Sequence, residues 1–251
     1  MELELWVFVV LFAVAVLAGG IDAIAGGGGL IVLPALLLAG VPPVTALGTN
    51  KFQGLFGTGS ATFAFWQKGL IDLRSWGWTA IACGLASVIG AAVATRLPTD
   101  LLTLLMPIVL IGLAAYFLFK PDFDLARPSL VHPLIVACLV APAIGFYDGI
   151  FGPGAGSLYV AAFVGLGGAS LLAATVQTKL MNFASNVGGF IFFALSGAIF
   201  WKLGLIMAIG QIIGGRLGAL LAIENGARLI RPLLVGISTV MALRLLWEAL
   251  A

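Results

Sequence analysis

The chain has 251 residues, of which 62% are hydrophobic and 9% charged, where a soluble domain carries about 25% charged residues. Its 12 Lys and Arg against 10 Asp and Glu leave a net charge of +2. The composition is that of an integral membrane protein with no room for a sizeable water-soluble domain, so the bilayer is an expected partner and nucleic acid is not.

Glu2 and Glu4, rather than a basic stretch, precede the first apolar run, so that run is expected to stay in the mature protein. It extends from Leu5 to Ala25, long enough to span. It ends in Asp22-Ala-Ile-Ala-Gly-Gly-Gly-Gly-Leu30, where adjacent glycines cost helix stability at about 1 kcal/mol each. A second segment, Leu30 to Ala39, is too short to cross the bilayer and is stopped by Val41-Pro-Pro43. A third runs from Thr45 to Gln67 and carries Asn50, Lys51 and Gln53 in its first turns. A polar turn leads to a fourth segment, Trp76 to Thr95, and a tight turn to a fifth, Leu101 to Phe119. The long polar loop that begins at Lys120 divides the chain: 1–119 is a first transmembrane unit, 120–132 a linker and 133–251 a second unit.

The second unit follows the first. Pro133 to Phe151 ends in Asp148-Gly-Ile-Phe-Gly-Pro-Gly-Ala-Gly156, Ser157 to Val164 is again short, and Leu171 to Ser196 carries Gln177, Thr178, Lys179 and Asn182. Leu203 to Ile223 and Leu229 to Trp247 complete it. Lys51 matches Lys179, Gly69 matches Gly197, Arg74 matches Lys202 and Gly90 matches Gly218, all at an offset of 128. Asp22 and Gly26 match Asp148 and Gly152 at an offset of 126. The expected fold is therefore an all-α polytopic membrane protein of two homologous repeats. Each has a Gly-broken first helix, a short half-helix and three further transmembrane helices. Placing the N-terminus outside puts Lys68, Arg74, Lys120, Arg127, Arg228 and Arg231 in the cytoplasm and only Arg96 and Lys202 outside. That arrangement makes the repeats inverted and both termini external. The rival, with four full crossings per half, makes them parallel.

Lys51 and Lys179 lie too deep in their helices for easy snorkelling. Either each pairs with Asp22 or Asp148, or the two approach the midplane from opposite faces and neutralise an anion. The glycine runs add free backbone N–H groups at the starts of the short helices, which favour an anion. The candidate substrate-binding residues are Lys51, Lys179, Asn50, Gln53, Thr178, Asn182, Gly27, Gly28, Gly154, Gly156 and Arg216. Asp22 and Asp148 can be lysine counter-ions, turn caps or proton carriers. Arg216, whose counterpart is Val88, is either a substrate or gate residue or half of a structural ion pair, with Asp148 as its candidate partner. Cys83 and Cys138 read as small buried hydrophobes, and His132 as an exposed bystander. No nucleophile with a base, no metal-ligand cluster and no cofactor motif is present, so neither enzyme activity nor a cofactor is expected.

Gly-Gly-Gly-Gly-Leu-Ile-Val-Leu-Pro34, Ala46-Leu-Gly-Thr-Asn-Lys-Phe-Gln53 and Gly145-Phe-Tyr-Asp-Gly-Ile-Phe-Gly-Pro153 resemble the TauE/SafE sulfite exporter family, also called the toluene sulfonate uptake permeases. The likeness is strongest to its YfcA-type subgroup. It covers nearly the whole chain. Many members carry a serine where Asn50 stands and lack the lysine after it. The resemblance implies a bacterial inner-membrane secondary transporter of sulfite, sulfonates or related organosulfur anions, working by alternating access of the two repeats. An anion channel and a membrane scaffold or assembly factor are the rival readings. A homodimer is compatible with it.

Overall fold

The computed structural model describes residues 4–98, 100–102, 104, 105, 108 and 129–225. The segments expected over Leu101–Phe119 and Leu229–Trp247, and most of the linker, lie wholly or mostly outside these residues. Every regular element within them is helical. In chain order they are α1 (Leu5–Ala25), α2 (Gly28–Leu38), α3 (Pro43–Gln67), α4 (Leu73–Ala94), α5 (Pro133–Ile150), α6 (Ala155–Gly165), α7 (Leu171–Leu195) and α8 (Trp201–Asn225).

Length and apolarity sort these helices. α1, α4, α5 and α8 are both long and apolar enough to cross a membrane. α3 and α7 have 25 residues each, but their polar islands make them less apolar. α2 and α6 have 11 residues each, about 16 Å of helix, half the thickness of a hydrocarbon core.

Several local devices set the bounds. Asp72 caps α4 by accepting from the backbone N–H groups of Arg74 and Ser75, so that helix starts earlier than the expected Trp76. The Ser75 hydroxyl and those two N–H groups hold the Asp72 carboxyl below the usual carboxylate range. Exposed His132 caps α5, its Nδ1 accepting from the N–H of Leu134. Within α5, residues Val136–Val140 widen into a π-turn. This turn ends two residues before Pro142, which has no N–H to give and whose ring crowds the carbonyl one turn back.

Packing is by small residues inward and large ones outward. Ile81, Leu85 and Ile89 on α4, and Leu205, Ile209 and Leu217 on α8, are exposed at helical spacing and present hydrocarbon to lipid. On their inner faces glycines bring backbones together. Gly84 meets Gly188 on α7, Gly90 meets Phe146 and Gly149 on α5, and Gly214 and Gly218 meet Val16 and Gly20 on α1. Thus α4 packs on α5 and α7, whereas α8 packs on α1 and α3. Cys83 is buried with its thiol against Met181, as expected; Cys138 is exposed on the outer face of α5 and is not a buried hydrophobe.

Candidate functional site

The two glycine breaks meet at the centre of the helices. Gly26 ends α1 in the left-handed region at φ 79°, its N–H donating to the Asp22 carbonyl. The chain turns, and α2 starts at Gly28, whose N–H donates to Asp22 Oδ1 at 3.2 Å. Asp22 is therefore a cap for α2, one of the three roles open to it. In the second break Gly152 (φ 88°) and Gly154 (φ 74°) supply the left-handed turns that lead into α6. Gly26 and Gly156 then pack backbone to backbone. A Cβ at Gly156 would lie 2.6 Å from both the Cα and the carbonyl oxygen of Gly26. The contact is fastened by Ser157, whose N–H donates to the Gly26 carbonyl and whose hydroxyl donates to Ala25.

The lysines are fully enclosed: Lys51 is 1% exposed and Lys179 is 0% exposed. Each pairs with the aspartate of the other half. Lys51 Nζ lies 2.5 Å from Asp148 Oδ1, and Lys179 Nζ lies 3.4 Å from Asp22 Oδ2. The counter-ion reading of the aspartates is the geometry observed. The pairs are unequal. Asp148 also accepts the Ser185 hydroxyl at 2.5 Å and its side chain is 3% exposed, against 13% for Asp22. Lys179 makes its short hydrogen bond to the main-chain carbonyl of Asp22 rather than to the carboxylate.

Between the breaks and the polar islands lies a cavity of about 30 Å³, room for a few water-sized groups. Of the candidate residues, Asp22, Asp148, Asn50, Gln53, Asn182, Gly28 and Gly156 line it. Lys51 and Lys179 stand behind the aspartates. Gly27 and Gly154 are the N-cap residues of α2 and α6, and Thr178 is buried in α7 without reaching the lining. Arg216 is elsewhere: it is exposed on α8 and donates to Gln67 Oε1 at 3.3 Å, not to Asp148.

The lining also includes Gly54, Thr58, Asn186 and Gln211. Three of these had a signal in the sequence. Gly54 stands at the same 128-residue offset from Asn182, and Thr58 from Asn186, as the two lysines do from each other. Gln211 is opposite Cys83 in that register and had none.

The polar lining is ordered by its own hydrogen bonds. Gln53 Nε2 donates to the Asn50 carbonyl and side chain, and Asn186 Nδ2 donates to those of Asn182. Gln53 Oε1 has no hydrogen-bond partner among the described residues. A buried amide oxygen left in that way is costly, and a donor arriving in the cavity would satisfy it. No group of His, Cys, Asp and Glu among the described residues could hold a metal ion.

The family model of "Sulfite exporter TauE/SafE" matches residues 11–245. A probable membrane transporter protein of Sinorhizobium sp, ORF9, is 47% identical over 94% of this chain and 91% of its own. The probable membrane transporter protein YfcA of Escherichia coli K12 is 42% identical over 96% of this chain and 90% of its own. A probable membrane transporter protein of Haemophilus influenzae is 40% identical over 99% and 98%. No solved structure matches.

Proposed function

The chain belongs to the TauE/SafE sulfite exporter family and is a membrane transporter, and from this premise we propose that it is a bacterial inner-membrane secondary transporter of a small sulfur-containing anion, such as sulfite or a sulfonate. The observation that carries this reading is the central cavity. It is lined by amides, a hydroxyl, bare backbone and the carboxylates of Asp22 and Asp148, whose charges Lys179 and Lys51 balance, and is set between the starts of two short helices. Free N–H groups and helix dipoles there favour an anion, and glycine lets it approach the backbone.

In this reading residues 1–119 and 133–251 are inverted repeats joined by the linker 120–132, and they move against each other for alternating access. The reciprocal packing of α4 on α5 and α7, and of α8 on α1 and α3, supports it, as does the crosswise pairing of the lysines. Asn50 and Asn182 bind the anion's oxygens together with the N–H groups of the glycine breaks, and Gln53, whose amide N–H is turned to Asn50, holds that residue in place. Lys51 and Lys179 supply the positive charge from behind. Arg216 is left out of the site because it faces away.

Two measurements test this. Uptake of labelled sulfite, thiosulfate and short alkyl sulfonates into proteoliposomes identifies the anion; movement of none of them overturns the reading. Asn50→Ala and Asn182→Ala are each expected to weaken binding of that anion about 10- to 100-fold, the loss of one charge-assisted hydrogen bond. The variants should still purify as single species, and unchanged affinity in both would remove these residues from the site. Topology is tested separately by cysteine labelling at Ala251 and in the loop at 120–127. The expected result is an external C-terminus and a cytoplasmic loop. A cytoplasmic C-terminus sinks the inverted arrangement.

A further inference from the structure

We infer that Asp22 is a proton site, which takes up one proton as the cavity takes up a monovalent anion and gives it back when the anion leaves. The inference rests on the transport reading above and adds the coupling ion to it. It starts from a charge count. Lys51, Lys179, Asp22 and Asp148 together sum to zero when all four are ionised. An anion entering beside them leaves a net negative charge in surroundings of low dielectric. Such a charge is costly, and buried groups avoid it by changing protonation. A lysine already carries its proton, so only a carboxylate can accept one.

Both carboxylates line the cavity, and the geometry selects between them. Asp148 is held at 2.5 Å by Lys51 and again at 2.5 Å by the Ser185 hydroxyl. Asp22 stands 3.4 Å from Lys179, is the more accessible of the two, and its remaining partner is the Gly28 N–H. A proton on Asp22 Oδ2 therefore gives up the weaker ion pair. Oδ1 still caps α2, and Lys179 keeps the main-chain carbonyl of residue 22. The lysine charge is then free to balance the anion.

Among the described residues few charged groups act on this site. Lys179 faces Asp22 from α7, with Lys51 of α3 and Asp148 of α5 beyond. α8 presents the neutral Gln211 and the backbone of Gly214, Gly215 and Gly218 to this end of α1, and α2 presents backbone. The step balances: an O–H bond forms on Asp22 with a proton from the entry side, and the same bond breaks toward water on the exit side.

The test uses purified protein in proteoliposomes that trap a pH-sensitive dye, with methanesulfonate, sulfoacetate, thiosulfate and sulfite offered outside. Methanesulfonate is the deciding monovalent probe among those moved, because it brings no titrating proton of its own near neutral pH. Its entry is expected to acidify the interior one for one and to ignore the membrane potential. Asp22→Asn, which fixes the neutral state, is compared with the wild type after its driven uptake is normalised to its own anion exchange at equilibrium. Its concentrative uptake driven by a proton gradient should fall at least about tenfold. Asp22→Glu, which keeps the titrating group, should keep the coupling and so guards against a folding defect in the amide variant. Anion entry without acidification overturns the proton site and leaves the transporter standing. Retention of gradient-driven uptake in Asp22→Asn also overturns it. Movement of none of the four anions overturns both readings.

Discussion

Asp148→Asn is expected to destabilise the protein by about 3–5 kcal/mol, because it strands a fully buried lysine without a counter-charge. Lys51 has no route to water: it is 1% exposed and packed along Gly189. The amide can still accept the Ser185 hydroxyl, so the loss isolates charge rather than hydrogen bonding. In detergent the variant should melt well below the wild type, read by the fraction surviving size-exclusion chromatography after heating. Lys51→Gln combined with Asp148→Asn makes the pair neutral and should restore most of the stability. A single variant that melts with the wild type would show that the pair contributes little to the fold.

Gly156→Ala is expected to be nearly as damaging. The added methyl meets backbone atoms of Gly26 at 2.6 Å, and backbone cannot swing aside as a side chain can. Overpacking of this kind costs about 1–3 kcal/mol, and here it also pushes apart the two breaks that shape the cavity. Transport should be lost even where the protein still purifies. Gly40→Ala is the control. Gly40 has φ 79° as Gly26 does, but no atom within 4 Å of an added Cβ. It suffers backbone strain without collision, so it should lower the melting point modestly and leave transport intact. Equal transport in Gly156→Ala and Gly40→Ala would show that the crossing of the breaks is not needed for function.

The features that were legible in the sequence are those written locally. α1 was read to its last residue because an apolar run of spanning length stops at Gly26, where the chain must turn. The buried lysines stood out because two such costly residues recur at one spacing. Helix starts were less legible. α2 begins at Gly28, not Leu30, because the Asp22 carboxylate caps it and outweighs the poor helix propensity of glycine. Which aspartate each lysine takes is a tertiary fact. Lys51 and Asp22 belong to the same half of the chain, and only the packing of the halves sends Lys51 to Asp148. Arg216 misled for a related reason. A charge in an apolar helix suggests a site, but helical phase puts this one on the outer face, where its long stem runs along the surface to Gln67.

The crossed ion pairs bear on how the protein is made. A ribosome delivers α1 through α4 first, and with them an aspartate and a lysine whose eventual partners are encoded 157 and 97 residues later. Until α5 and α7 arrive, the early helices hold unmatched charge at membrane depth, so their insertion stays provisional. Assembly is completed by the late arrival of Asp148 and Lys179. A chain cut short in its second half is left with exposed charge that quality-control proteases can recognise.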